Sequence, residues 1–124
     1  MKRRSLCASV TVATLLAVIG AGSARAEFYS GREFAKDLDE FFKPIEQVDK
    51  NRMFKGGMAV GFIKGVCDTL EGEGLPLVPA KVTVGELAIV LRNYLKKHPD
   101  DLDEPAAILV RMGLDEKYPS QWPK

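Results

Sequence analysis

The side chains that could perform chemistry in this sequence are few and scattered. The chain has one histidine, His98, and two cysteines, Cys7 and Cys67. A nucleophilic mechanism would need the histidine beside a thiol or a serine, but His98 ends a helical pattern directly before Pro99, where a capping or core-edge role is more common. A zinc site needs about three or four protein ligands. The sequence therefore favours a protein that is not an enzyme, and it predicts no cofactor and no metal.

The densest group of polar side chains is the acidic turn, residues 100–104. It weakly resembles a calcium loop, but it lacks the loop glycine and the distal bidentate glutamate at the required spacing. A solvated, helix-capping turn is the simpler interpretation, with Asp103 as the N-cap of the last helix. Because its charges are exposed, we predict that the turn contacts a partner protein. The residues of this predicted contact are Asp100, Asp101, Asp103 and Glu104.

The first 26 residues predict a cleavable signal peptide. Three basic residues at 2–4 precede an apolar stretch over 6–22, and Ala24-Arg25-Ala26 is a small-x-small cleavage site. The apolar run is short and no stop-transfer pattern follows it, so we expect no membrane association after cleavage. An uncleaved membrane anchor is the alternative. The mature chain, residues 27–124, is expected to form one periplasmic domain.

Cleavage changes both the charge and the cysteine content. The full chain has 18 basic and 17 acidic residues, and the leader contains four of the basic ones, which leaves a net charge of about −3. An acidic domain argues against nucleic-acid binding, which needs a basic face. Cys67 then stands alone and cannot form a disulfide within its chain. We predict a buried, inert thiol, with an intermolecular bridge or a reactive thiol as alternatives.

Helical periodicity predicts an all-α fold, a compact bundle of about four helices. Ser30 and Glu33 stand at capping-box spacing and open the first helix, which Pro44 should end or kink near Lys43. Its predicted core stripe is Phe34, Leu38, Phe41 and Ile45. The stretch from 47 to 55 is polar, and either a loop or the first turns of the next helix fits it.

The second helix has a glycine at every fourth position: Gly57, Gly61 and Gly65. Glycine in a helix interior costs about 1 kcal/mol relative to alanine, so the ladder predicts that another helix packs closely there. At 100° per residue the ladder lies opposite the apolar side of the helix. That apolar side contains Ala59, Phe62, Ile63, Val66, Cys67 and Leu70. We therefore predict two packed surfaces on this helix.

The last two helices follow a proline-bound apolar linker, residues 75–81, which we expect to lie across the core. Thr83 and Glu86 form a second capping box. The predicted inward residues of the third helix are Val84, Leu87, Ala88, Leu91, Tyr94, Leu95 and His98. Those of the fourth helix are Ala106, Ala107, Leu109, Val110, Gly113 and Leu114. The tail is expected to fold back through Tyr118 and Trp122.

Three apolar residues lie off these core faces: Ile89, Ile108 and Met112. Exposed apolar surface of this kind indicates a second buried contact. Together with the glycine ladder, it predicts a homodimer.

The glycine helix and the sequence after it resemble a known family. Residues 61–68 read Gly-Phe-Ile-Lys-Gly-Val-Cys-Asp, which is similar to an element of the type VI secretion amidase-immunity family, the Tai and Rap-type proteins. The further matching positions are Pro79, Val82-Thr83-Val84-Gly85-Glu86-Leu87, Tyr94-Leu95, His98-Pro99, Pro105-Ala106-Ala107, Leu109-Val110 and Tyr118-Pro119. The resemblance covers roughly residues 57–119. It implies a small exported helical protein, commonly dimeric, that binds and blocks a peptidoglycan-cleaving amidase without catalysis of its own.

The chain departs from the family pattern at two positions. Many members have a cysteine shortly before the proline that matches Pro79 and another after the closing aromatic-proline pair. Leu77 and Ser120 occupy those positions here, as expected if the family disulfide has been lost. The alternative function is a small helical periplasmic protein of a stress, chaperone-like or structural kind, with no effector partner.

Overall fold

The structure, a computed structural model, describes residues 29–119. It contains four α-helices: α1 (Gly31–Phe41), α2 (Lys50–Gly72), α3 (Val84–Lys97) and α4 (Ala106–Lys117). Short 3-10 helices cover Ile45–Gln47 and Pro99–Asp103. No strand occurs within 29–119, where the one β-type pairing is an isolated bridge between Ser30 and Pro105. The all-α prediction is confirmed. The predicted signal peptide and Trp122 lie outside the described residues.

The first helix begins as predicted and ends earlier than its apolar stripe suggested. The Ser30 side chain accepts a hydrogen bond from the Glu33 amide at 3.2 Å, which supplies the serine half of the capping box. Phe34 and Leu38 are fully buried. The prediction that Phe41 and Ile45 complete this stripe is wrong, because α1 stops at Phe41 and Pro44 redirects the chain. Ile45 then lies in a separate 3-10 turn and is exposed.

The second helix is the longest element and packs most extensively against α1. Its N-cap is Asp49, whose carboxylate accepts a hydrogen bond from the Arg52 amide at 2.9 Å. The polar residues 50–55 are therefore the first turns of the helix. Ala59, Ile63 and Cys67 are buried. The other three residues of the predicted apolar side, Phe62, Val66 and Leu70, are partly buried against the same core.

The capping box that opens α3 is complete. The Glu86 amide donates to the Thr83 hydroxyl at 3.3 Å, and the Glu86 carboxylate accepts from the Thr83 amide at 2.7 Å. The hydrogen bond from that amide lowers the pKa of Glu86. The preceding linker lies across the core as predicted, since Leu77 is almost fully buried among the helices.

Two backbone hydrogen bonds join the start of α1 to the start of α4. The Gly31 amide donates to the Glu104 carbonyl at 3.1 Å, and the Ala106 amide donates to the Tyr29 carbonyl at 3.0 Å. This clasp places α4 later than predicted: its N-cap is Pro105, so the assignment of Asp103 as N-cap is wrong. Residues 99–103 form a 3-10 turn instead, because Pro99 starts a new helical turn.

A single core lies between the four helices and the linker. Most predicted inward positions of α3 and α4 are buried. Two are exposed: Val84, in the first turn of α3, and Ala107, near the start of α4. The fully buried large side chains are Phe34, Leu38, Ile63, Leu77, Leu91, Leu109, Val110 and Leu114. Within residues 29–119 no helix is both long and apolar enough to span a bilayer.

Candidate partner-binding surfaces

The acidic turn follows the end of α3, and Asp101 attaches the turn to that helix. The Tyr94 hydroxyl donates a hydrogen bond to the Asp101 carboxylate at 2.8 Å. Burial and this hydrogen bond raise the pKa of Tyr94 to about 12. The His98 ring stacks on Tyr94 with centroids 4.4 Å apart and lies 3.0 Å from a carboxylate oxygen of Glu116. Asp101 therefore fixes the turn on α3, and its carboxylate is only partly accessible to a partner.

The other three acidic side chains of the turn are exposed. Asp103 accepts two hydrogen bonds from the Arg32 guanidinium, at 2.6 and 2.9 Å, which tie the turn to α1. Asp100 and Glu104 make no side-chain hydrogen bond or ion pair within residues 29–119. Exposed ion pairs contribute about 0–1 kcal/mol, so the turn is held mainly by its backbone and by Tyr94. Asp100 and Glu104 are the two acidic groups most open to a partner.

The glycine ladder faces away from the rest of the chain. A Cβ atom added at Gly57, Gly61 or Gly65 would meet no atom of the described chain within 4 Å, leaving aside the helix's own backbone. The predicted packing of another helix against these positions therefore does not occur within residues 29–119. The close approach occurs at the neighbouring Gly56, whose added Cβ would lie 2.9 Å from the Phe41 amide nitrogen. Gly56 is thus the glycine on which the α1–α2 contact depends.

An apolar groove continues the ladder face between α2 and α4. Its volume is about 460 Å³. It is lined by Phe62, Gly65, Val66, Thr69, Leu70 and Ala107, all of them uncharged. The apolar residues predicted to lie off the core are accessible as well: Ile89 and Met112 are exposed, and Ile108 is partly exposed. These positions are therefore open to solvent within residues 29–119, and the second packed surface stays a prediction.

Cys67 and His98 do not form a reactive pair. Cys67 is buried in the core against α3 and the linker, and burial raises the pKa of its thiol to about 11. The thiolate is the reactive form, so burial disfavours reaction of this thiol at neutral pH. His98 makes its contacts with Tyr94 and Glu116 instead. Within residues 29–119 no group of three or more histidine, cysteine or carboxylate side chains is placed to hold a metal ion.

Sequence reasoning missed a cluster of exposed apolar side chains where α1 turns into α2. Ile45, Met53 and Phe54 are 81%, 61% and 65% exposed. Charged residues surround them in the sequence, which makes the stretch polar on average and hides the cluster. The available signal was Met53-Phe54 beside Lys50, Arg52 and Lys55. Adjacent positions of a helix point in different directions, so Met53 and Phe54 cannot both face the core.

The four-helix core defines a small all-α protein. A family model described as Rap1a immunity proteins matches residues 30–120. The chain therefore belongs to the Rap1a immunity protein family. No curated protein sequence and no solved structure matches it at a significant level.

Family membership makes the chain an immunity protein directed against a secreted effector, and its partner is a protein. Immunity proteins of this family generally have no catalytic role. The resemblance seen in the sequence, to a Rap-type immunity protein, is confirmed.

Proposed function

We propose that this immunity protein acts in the periplasm, where it binds a peptidoglycan-cleaving amidase delivered by a rival cell and blocks its active-site cleft. The match of residues 30–120 to the immunity family supports this proposal most directly. The sequence of the first 26 residues adds a route to the periplasm. A chain with a rigid helical core and exposed loops and helix ends is suited to occlude a concave site.

A toxicity assay tests both the target and the compartment. A peptidoglycan amidase secreted by a rival cell is directed to the periplasm of a sensitive host, with or without the full-length chain. We expect the full-length chain to prevent lysis. A version without residues 2–26 stays in the cytoplasm and should give no protection. Lysis in the presence of the exported full-length chain would contradict the proposal, and protection by the cytoplasmic version would contradict the location.

The acidic turn is proposed as one contact with the effector. Replacing both Asp100 and Glu104 by alanine removes the two acidic groups that no side chain within residues 29–119 engages, so we expect about tenfold weaker binding, mainly through slower association at low salt. Isothermal titration calorimetry measures the affinity. The matched variant Asp101→Asn keeps an oxygen acceptor for Tyr94 and should bind within about twofold of wild type. Unchanged affinity in the double variant would remove the turn from the interface.

The glycine face of α2 is proposed as the contact of a homodimer. The ladder positions are open to solvent, and the apolar groove adjoins them. Lys64 and Asp68, exposed on the same side of α2, carry opposite charges that a two-fold contact can pair. We expect light scattering to give the mass of a dimer for the wild-type chain. Gly61→Arg should give a monomer without loss of helicity, because the position faces solvent within the chain. Glu73→Arg, at the exposed C-cap of α2, is the control and should remain dimeric. A monomeric wild-type chain would refute the dimer.

A further inference from the structure

The most exposed apolar side chains of the described chain concentrate at one end of the molecule. We name residues 41–58, from the last residue of α1 to the third turn of α2, the α1–α2 tip. Eight large apolar side chains within 29–119 are substantially exposed, and five of them lie in the tip. These five are Phe41, Ile45, Met53, Phe54 and Met58. The acidic turn lies at the other end of α1, beside Ser30 and Gly31.

The backbone of the tip is held in place, although its apolar side chains are exposed. Gly56 has no side chain, so its backbone lies directly against that of Phe41 and brings α1 and α2 close together. The Arg52 guanidinium donates to the Gln47 carbonyl at 3.2 Å, and Asp49 caps α2. The Lys43 ammonium donates to the Glu40 carboxylate at 2.6 Å. A backbone that is fixed before binding reduces the entropy lost on association, and aromatic and methionine side chains are enriched at interfaces.

The charge of the tip is opposite to that of the rest of the mature chain. Residues 41–58 contain more basic than acidic side chains, whereas the predicted mature chain as a whole has three more acidic than basic residues. Lys50 and Lys55 form no ion pair or side-chain hydrogen bond within residues 29–119. A surface that covers the tip would therefore gain from carboxylates at its edge.

The same charges argue against a second copy of this chain as the occupant. A two-fold contact would place each tip against an identical tip, so both surfaces would carry the same net positive charge. Like charges across an interface are unfavourable. A contact between the tip of one copy and the acidic turn of another is heterologous and leaves both outer ends free to extend into a filament. The glycine face, where the exposed Lys64 and Asp68 carry opposite charges, is the better dimer surface.

We propose that the α1–α2 tip is the main docking surface for the effector, and that it inserts Ile45 and Phe54 into an apolar depression edged by carboxylates. This inference rests on the proposed function, since it assigns the surface through which the effector is bound. Large apolar side chains at the centre of an interface usually carry most of its binding energy. The acidic turn then contributes a second, peripheral contact at the other end of α1.

Competition between sister cells tests the proposal in living cells, with the effector delivered by the attacker itself. Recipient cells that lack this gene carry one allele on a plasmid and are grown with attacking parental cells. The wild-type allele should protect, which tests the proposed function. The double variant Ile45→Glu/Phe54→Glu should lose protection to the level of empty plasmid. The control Val84→Glu places the same charge on an exposed apolar residue in the first turn of α3, where a carboxylate suits the helix dipole, and should protect fully.

Crosslinking gives a readout that does not depend on loss of folding. A photo-reactive benzoylphenylalanine at Ile45 or Phe54 should crosslink, in recipient cells under attack, to a secreted protein of the attacker, whereas the same residue at Val84 should not. Lys50→Glu/Lys55→Glu should reduce crosslinking at Phe54 by about tenfold. Lys64→Glu, farther along α2, should leave it unchanged.

The outcomes separate the inference from the function. If the wild-type allele gives no protection, the immunity function itself fails. If wild type protects and the tip variant protects equally, the function stands and the tip proposal is overturned. Crosslinks from the tip only to another copy of the chain would also overturn it. A membrane-binding role for the tip would overturn the proposal as well. In that case wild type, but not the tip variant, would bind vesicles of phosphatidylglycerol and phosphatidylethanolamine, while the tip variant would still protect recipient cells.

Discussion

Replacing Phe34 by alanine is expected to lower the free energy of unfolding by about 3–5 kcal/mol. Phe34 is fully buried in α1. Its ring contacts Tyr29 edge-on, with centroids 5.7 Å apart, and lies 5.8 Å from the ring of Phe62. Truncation would leave a cavity between α1 and α2 and remove both aromatic contacts. A domain of this size is stabilised by about 5–15 kcal/mol in total, so the variant should be close to unfolding at growth temperature.

The matched control for this prediction is Phe54→Ala. Both substitutions remove a phenylalanine from a helix, but Phe54 is 65% exposed, so its loss should change stability by no more than about 0.5 kcal/mol. Urea unfolding of the protein purified after expression of the full-length chain, followed by circular dichroism, measures both values. Similar costs for the two variants would show that Phe34 does not occupy the core as described.

The second large effect is expected at the clasp between α1 and α4. A Cβ atom added at Gly31 would lie 2.4 Å from the Glu104 carbonyl oxygen and 2.7 Å from that of Leu102. Neither backbone oxygen can retreat without disturbing the clasp, since the Gly31 amide itself donates to the Glu104 carbonyl. We expect Gly31→Ala to lower the free energy of unfolding by about 2–3 kcal/mol, because the added methyl group overpacks the contact. The acidic turn should loosen with it, so affinity for the effector should fall too.

Gly57→Ala is the control for Gly31→Ala, and we expect it to raise the free energy of unfolding instead of lowering it. Gly57 has no contact within 4 Å of an added Cβ, so alanine should stabilise α2 by about 0.5–1 kcal/mol through helix propensity. The comparison requires a protein concentration at which light scattering gives the monomer mass. Stabilisation by Gly31→Ala, or destabilisation of the monomer by Gly57→Ala, would contradict the described packing.

Local signals predicted the helices well. Ser30, Thr83 and the 3.6-residue periodicity placed α1 and α3 correctly, because capping and amphipathicity depend on residues only a few positions apart. The family resemblance was carried by the same kind of local pattern around the glycine helix. Periodicity predicted the buried positions of α3 and α4, with Val84 and Ala107 as the two exposed exceptions.

The errors arose where tertiary contacts decide the outcome. Periodicity extended the first core stripe through Phe41 and Ile45, but α1 ends at Phe41, Pro44 redirects the chain, and α2 packs against the end of α1 at Gly56. Asp103 has good N-cap chemistry, yet its carboxylate pairs with Arg32, a residue 71 positions earlier. The ladder glycines and Gly56 look alike in sequence, and only the position of α1 distinguishes the packed glycine from the open ones. The exposed tip was missed for the same reason.

The most direct test of the immunity function is a titration of amidase activity. The purified effector amidase is incubated with increasing amounts of this protein, and the release of soluble fragments from isolated peptidoglycan is measured. Stoichiometric occlusion predicts a linear fall to complete inhibition at an equimolar ratio, with the inhibitor recovered intact. Full amidase activity in the presence of a large excess of the folded wild-type protein would contradict the proposed function.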